Sequence, residues 1–136
     1  MGRFFSLVQI KNNGSREQFL KAFCDVMKKR SLVPCSEKES SVSYILAFSE
    51  SGKWVTLASK EYRDNPKQVK DDAKQTAAEM KTSSFSMDVV DSDWTYIELH
   101  TGADVHDTVM VGRSEFDEEH SPKGRRECWE PILAPG

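Results

Sequence analysis

The sequence is poor in the residues on which several classes of protein depend. Only three cysteines occur among its 136 residues, and no two of them form a Cys-x-x-Cys pair. An odd number of separated cysteines is typical of reduced thiols and not of a disulfide framework. We therefore expect a cytoplasmic protein, and the length predicts one domain with a hydrophobic core of its own.

Long apolar runs are also missing. No stretch of about 18 consecutive apolar residues occurs, so the sequence predicts no membrane span. The first residues lack a charged leader followed by an apolar segment, so we expect no secretory signal in the chain as it stands. The sequence has no Gly-x-Ser-x-Gly, no glycine-rich phosphate loop and no His-Glu-x-x-His. No motif therefore fixes a reaction, and we expect no cofactor.

The charges of the chain are unevenly distributed. Residues 1–82 carry 15 Lys and Arg against 10 Asp and Glu, a net charge of +5, whereas residues 83–136 carry 4 against 12, a net charge of −8. An acidic second half argues against nucleic acid as the main partner, because phosphate binding requires a basic surface. It suits a basic protein partner, a metal ion or simple solubility.

Apolar patterns predict the elements of the first half of the chain. A nearly continuous apolar run at residues 3–10 predicts a strand that is buried on both faces. Ser15, with Gln18 three residues later, predicts the capped start of a helix. Residues 42–48 and 53–59 alternate between apolar and polar side chains and predict two antiparallel strands joined by a short turn.

The second half begins with another helix. It is predicted from Pro66 to about Met80, because proline is well tolerated in the first turn of a helix. Three strands follow, at residues 84–90, 94–100 and 108–111, and the first two alternate clearly. The chain then becomes charged and poor in apolar residues.

The order of these elements predicts the fold class. A β-α-β-β-α-β order is that of a ferredoxin-like core, an antiparallel four-stranded sheet with both helices on one face. We therefore predict an α+β fold with a ferredoxin-like core and an added C-terminal β-hairpin. Residues 1–112 would form a single domain. Residues 113–136 would form an irregular acidic tail that either packs back on the domain or continues into a longer protein.

The last strands separate an apolar set of side chains from a polar and aromatic set. If the helices cover the apolar set, the other set lies on the uncovered face of the sheet. That face could be a ligand pocket, an oligomer or partner interface, or plain structure. Stacking of RNA bases is not expected, since the neighbouring charges are acidic. The predicted ligand or partner face consists of Trp54, Thr56, Asp88, Trp94, Tyr96, Glu98 and His100.

Two hypotheses of function follow. In the first, the chain is a binding domain whose acidic surface docks a basic protein, as an immunity-type or antitoxin-type inhibitor does. A domain of this kind could also pair with a second copy of itself. The predicted acidic surface consists of Asp91, Asp93, Asp117, Glu118 and Glu119. The alternative is a small-molecule or enzymatic pocket on the sheet face, with Glu98 or His100 at its floor. Paired carboxylates could also serve as acid and base, and those close together in the sequence are Asp88, Asp91, Asp93 and Glu98.

One group of side chains has the chemistry of metal ligands. Imidazole and carboxylate groups suit zinc or another transition ion, but their spacing here matches no established zinc motif. We therefore interpret the group as a polar loop between strands and predict no metal site. The group consists of His100, Asp104, His106 and Asp107, with His120 and Cys128 further along the chain.

Overall fold

The computed structural model shows an α+β fold in which a six-stranded antiparallel sheet is accompanied by helices. The residues it describes are 4–39, 43–59, 66–90, 94–101, 104–112 and 124–133. None of the helices in these ranges is both long enough and apolar enough to span a membrane.

Six strands and three α-helices follow one another along the described ranges. The strands are β1 (Phe4–Lys11), β2 (Tyr44–Phe48), β3 (Trp54–Ser59), β4 (Ser83–Val90), β5 (Trp94–Thr101) and β6 (Asp104–Gly112). The helices are α1 (Arg16–Lys29), α2 (Pro66–Glu79) and α3 (Arg126–Leu133), and a short 3₁₀ turn occupies Glu37–Glu39.

Most of these elements begin and end close to where the sequence places them, with two corrections. β6 starts at Asp104, whereas the sequence predicted residue 108. An irregular tail was predicted for the residues that form α3, and that prediction is wrong for Arg126–Leu133. Cys128, Trp129 and Ile132 recur at the spacing of one helix face, and this short apolar face packs on the sheet.

The start of α1 confirms the predicted capping box. The Ser15 hydroxyl accepts a hydrogen bond from the backbone N–H of Gln18 at 3.1 Å, and the Gln18 side chain accepts one from the backbone N–H of Ser15 at 2.7 Å. These bonds satisfy donors that a helix start otherwise leaves free. The helix then buries Phe19, Phe23 and Val26.

The strands are ordered β2-β3-β1-β4-β5-β6, and every neighbouring pair is antiparallel. The first strand of the chain therefore lies near the centre of the sheet. α1 and α2 pack on one face of the sheet and bury an apolar core with β1, β2 and β3, which supplies the main hydrophobic stabilisation. The core consists of Val8, Ile10, Val55 and Leu57 from the sheet, Phe19 and Phe23 from α1, and Val69, Ala73 and Ala77 from α2.

The opposite face of the sheet is partly covered by α3. The Trp129 ring lies edge-on to Phe85 with ring centroids 6.2 Å apart, and Phe85 makes a similar contact with Trp54 at 5.5 Å. The Lys11 ammonium donates a hydrogen bond to the backbone oxygen of Ile132 at 2.9 Å. This contact places a cation at the C-terminal end of α3, where the helix dipole favours it.

A buried carboxylate of α2 joins the C-cap of α1 to β2. Asp72 is 1% exposed and accepts hydrogen bonds from Arg30 Nη1 at 2.5 Å, from Gln68 Nε2 at 3.1 Å and from the Tyr44 hydroxyl. Burial raises the pKa of the Asp72 carboxyl, although the donated hydrogen bonds and the Arg30 charge oppose the shift. Burial and the adjacent carboxylate also raise the pKa of Tyr44.

Replacing Asp72 should destabilise the fold strongly. Asp72→Ala leaves the guanidinium of Arg30 and two further donors without their acceptor, and we expect a loss of about 3 kcal/mol in the free energy of unfolding. Urea denaturation measures this loss. The matched control is Asp71→Ala, because that carboxylate is 44% exposed and lies 4.0 Å from Lys74, so its loss should stay below about 1 kcal/mol. Equal losses in the two variants would contradict the structural role of Asp72.

Candidate functional site

The register of the strands decides which predicted site residues lie together. Val8 of β1 pairs with Ser86 of β4, and Ser86 pairs with Glu98 of β5. Directly paired side chains share a face, so Glu98 lies on the face that α1 and α2 cover. Asp88, Tyr96 and His100 lie on the same face, because side chains two apart on a strand point the same way. Trp94 also belongs to β5, but only its backbone is described.

Trp54 and Thr56 lie on the opposite face. They flank Val55, which belongs to the core beneath the helices, and adjacent residues of a strand point to opposite faces. The structure therefore corrects the prediction that all seven residues share one uncovered face. The apolar set on β4 and β5 faces α3, and this leaves the polar set on the side of α1 and α2.

Six side chains on the helix side form what we call the polar cluster: Ser6, Lys70, Asp88, Tyr96, Glu98 and His100. Within it, Asp88 accepts hydrogen bonds from the Ser6 hydroxyl at 2.6 Å and from Lys70 Nζ at 2.5 Å. The side chains of Lys70 and Asp88 are 19% and 12% exposed. This ion pair connects α2 to β4, because Lys70 belongs to the helix.

The second part of the polar cluster is a carboxylate–imidazole pair. His100 Nε2 lies 2.7 Å from Glu98 Oε1, and His100 is 2% exposed. The hydrogen bond from His100 lowers the pKa of the Glu98 carboxyl, and the charges of Lys74 and Lys70 act in the same direction. Burial, assisted by Glu98, raises the pKa of the Tyr96 hydroxyl. Glu98 is therefore ionised and Tyr96 is protonated at neutral pH.

Two buried hydroxyl groups lie next to this pair. Across β4 and β5, Ser84 is paired with His100 and Ser86 with Glu98, and neither hydroxyl has a hydrogen-bond partner among the described residues. Serine, histidine and a carboxylate are the components of a nucleophilic triad. However, Ser84 is 1% exposed and makes no bond to His100, so this arrangement does not support nucleophilic catalysis. Acid–base chemistry or ligand recognition at Glu98, whose side chain is 19% exposed, suits it better.

Ser6 and Lys70 are members of the polar cluster that the sequence did not indicate. Both contact Asp88, which lies 82 positions from Ser6 and 18 positions from Lys70 along the chain. Lys70 also lies among lysines that the helical pattern places on a solvated face. No local signal in the sequence identifies either residue, since both depend on how α2 and β1 lie against β4.

The predicted acidic surface is not tested by the structure. Its five residues, Asp91, Asp93, Asp117, Glu118 and Glu119, all lie outside the described ranges. Their contribution to binding stays a prediction.

The possible metal ligands are dispersed. Asp104, His106 and Asp107 belong to β6 and not to the predicted polar loop, and the register between β5 and β6 shifts at Leu99 and His100. In the described part of the chain, no three His, Cys, Asp or Glu side chains are grouped so that they could hold a metal ion. Cys128 is 6% exposed, and His120 lies outside the described residues.

Comparisons with known proteins identify no family. No family model matches the chain, and no curated protein matches it either. Among solved structures, a phage SAM lyase in its apo state is similar to 85% of this chain over 94% of its own length, with 14% sequence identity and a TM-score of 0.34. A TM-score this low supports no argument about fold or function.

The two hydroxyls without partners allow a test of the packing beneath α2. Ser84→Ala should leave the free energy of unfolding unchanged or raise it by up to about 1 kcal/mol, because it removes an unsatisfied buried polar group. Ser6→Ala is the control and should cost about 1 kcal/mol, because the Ser6 hydroxyl donates to Asp88. Urea denaturation measures both. A loss above 1 kcal/mol in Ser84→Ala would show that this hydroxyl has a partner, such as a bound water.

The lowered pKa of Glu98 predicts how stability depends on pH. The carboxyl titrates below its ordinary value of 4.5 in the folded state, so its contribution is fully present above that value and is lost as the pH falls through the folded-state pKa. Glu98→Gln should therefore be less stable than the wild type at pH 7, by about 2 kcal/mol, and this difference should shrink in acid.

Urea midpoints measured between pH 3 and pH 7 test this pH dependence. Glu79→Gln is the control, since Glu79 pairs with Lys29 on an exposed surface and contributes less than about 1 kcal/mol. A difference between wild type and Glu98→Gln that stays constant with pH would contradict the prediction.

Proposed function

We propose that this chain is a cytoplasmic binding domain that holds a small polar molecule at the polar cluster. The observation that carries the proposal is the position of His100, which is 2% exposed and lies 2.7 Å from a Glu98 carboxylate oxygen. Holding the ionised Glu98 carboxylate largely out of water, with its side chain 19% exposed, costs free energy that apolar packing would avoid. Such groups are concentrated in binding and catalytic sites.

The position of α2 supports this proposal. The helix packs mainly on β1, β3, β4 and β5, so β6 continues the sheet beyond the edge of the helix. Thr108 and Met110 of β6 pair with Glu98 and Tyr96 and are partly exposed. The side of α2 and the surface of β5 and β6 would form a step with the polar cluster at its inner corner. A ligand there would meet the Glu98 carboxylate together with the ammonium groups of α2.

The chemistry of the cluster defines the ligand that it favours. Ionised Glu98 accepts hydrogen bonds or pairs with a cation, whereas Lys74, whose side chain is 20% exposed, suits an acidic or carbonyl group. The ligand would therefore carry both a donor and an acceptor. Glu98 would contact it, and His100, which is 2% exposed, would hold the Glu98 carboxylate in position from beneath. Acid–base catalysis by Glu98 would be the enzymatic form of the same proposal.

We further propose that β1 to β4, together with α1 and α2, form a ferredoxin-like core. The order β2-β3-β1-β4, with α1 and α2 over the apolar core, supports it. β5 and β6 would then be an added hairpin that widens the sheet beyond α2. Two helices are wide enough to cover four strands. The added β5 and β6 would therefore extend beyond α2 and create the step on which the polar cluster lies.

Native mass spectrometry of untagged protein, purified gently from its own source, tests the proposed ligand site. The wild type should carry a small added mass that is lost from Glu98→Gln. Glu79→Gln should retain it, since Glu79 is exposed and pairs with Lys29 outside the polar cluster. Circular dichroism checks that both variants remain folded. A wild-type spectrum without any added mass would overturn the proposal.

The second candidate is the docking of a basic protein to an acidic surface. The observation that favours it is the net charge of −8 on residues 83–136. In the same spectrum it predicts a co-purifying polypeptide that is lost when the acidic surface is reversed in charge. A polypeptide that stays bound to that variant would contradict this candidate, and a homodimer without any ligand would assign the binding to self-association. The residues to reverse are Asp91, Asp93, Asp117, Glu118 and Glu119.

A further inference from the structure

A groove lies beside α3 on the face of the sheet opposite to the polar cluster. Its volume is about 530 Å³. Met87, Ile97 and Val109 form its floor, because they are paired in one row across β4, β5 and β6. Phe85, Trp129 and Leu133 also line it. Its floor is therefore apolar.

Specific contacts hold α3 away from this row. The neighbouring row contains Leu99, which is fully buried, and Asp107, which is paired with it. Asp107 Oδ2 accepts hydrogen bonds from Trp129 Nε1 at 2.7 Å and from the backbone N–H of Arg125 at 2.8 Å. These bonds fix α3 over the row of Leu99 and leave the row of Met87 in the groove.

The backbone at Gly124 lies directly against the floor of the groove. Its φ angle is +79°, and a Cβ atom at this position would lie 2.4 Å from Val109 Cγ2. Only glycine fits both the left-handed conformation and the close approach. The chain therefore passes directly against a floor residue just before α3 begins.

Two arginines lie at the rim of the groove, and their charges are not equally available. Arg125 is engaged, since its Nε lies 3.6 Å from Asp107 Oδ1 and its Nη2 donates to the backbone oxygen of His106. The Arg126 side chain is 86% exposed and pairs with Glu130, one turn along the same helix, through Nε at 3.2 Å and Nη2 at 3.3 Å. The Glu130 side chain is itself 60% exposed. Because water competes for both contacts of an exposed pair, the guanidinium of Arg126 can exchange Glu130 for the acidic group of a ligand.

We propose that the groove binds a free medium-chain monocarboxylate, with its aliphatic chain on the floor and its carboxylate on Arg126. The volume falls in the range typical of small-molecule sites, and an apolar lining with a few polar groups at the mouth is their usual composition. A guanidinium matches a carboxylate in a bidentate geometry that a neutral or cationic head group cannot adopt. This site is separate from the polar cluster and does not depend on the function proposed for it.

Methyl NMR spectra of the full chain test this site with three probes that share a ten-carbon chain. They are decanoate, decan-1-ol and decyltrimethylammonium, each used below the concentration at which it forms micelles. Decanoate should shift the methyl signals of Met87, Ile97 and Val109 and leave those of Val55 and Leu57 unchanged. Its affinity should exceed that of the alcohol, and the cationic probe should bind most weakly.

Two variants separate the contributions of the head group and the chain. Arg126→Gln should weaken decanoate binding by about threefold to fivefold, the value of one exposed ion pair, and leave decan-1-ol unaffected. Leu133→Ser should weaken both probes and still fold, since Leu133 is 56% exposed. Arg16→Gln is the matched control for Arg126→Gln, because Arg16 lies over the Phe48 ring on the other face of the sheet.

Three outcomes would overturn the proposal. The first is equal binding of decanoate and decan-1-ol, with no effect of Arg126→Gln, because the groove would then not select an acid. The second is the absence of any shift at the three floor residues. The third is a dimer whose formation shifts the same methyl signals without any probe, because the occupant of the groove would then be a second copy of the chain.

Discussion

The pairing of β1 with β4 determines which side chains of the second half face α1 and α2. With Val8 opposite Ser86, the serines and carboxylates of β4 and β5 lie on the helix side, and Phe85 and Met87 lie on the side of α3. Shifting this register by one residue would exchange the two sets. The polar cluster and the apolar groove are therefore two results of one register, on opposite sides of the same strands.

α2 is held against the sheet by two carboxylates that are satisfied in the same way. Asp72, which belongs to α2, accepts hydrogen bonds from Arg30, the C-cap residue of α1, and from the Tyr44 hydroxyl of β2. Asp88, which belongs to β4, accepts them from Lys70 of α2 and from the Ser6 hydroxyl. Apolar packing between these two points is not directional. The two hydrogen-bonded ion pairs supply direction, and they fix the position of α2 relative to Glu98 and His100.

The local patterns of the sequence predicted the strands, α1, α2 and the alternation of side chains, because each of these depends on residues close together in the chain. They did not predict which alternating set faces the helices. That choice depends on the register of β1 against β4, which pairs residues far apart in the chain. The set on the other face packs against α3, whose eight residues contain Pro131 and only a short apolar face. The polar cluster was predicted in part: Asp88, Tyr96, Glu98 and His100 were identified from their chemistry, whereas no local pattern indicated Ser6 or Lys70. The partner of a charged residue on another element cannot be read from local periodicity.

The central position of β1 has a consequence for the order in which the protein folds. The two halves of the sheet join only when β4 pairs with β1, a contact between residues 82 positions apart at Ser6 and Asp88. During synthesis, one edge of β1 therefore stays unpaired until residue 90 has left the ribosome. The other edge can pair with β3 earlier, and β3 with β2. Contacts of such long range slow folding, and an apolar strand with an unpaired edge is prone to aggregation in the meantime. The nascent chain is consequently most vulnerable between the completion of β3 and the arrival of β4.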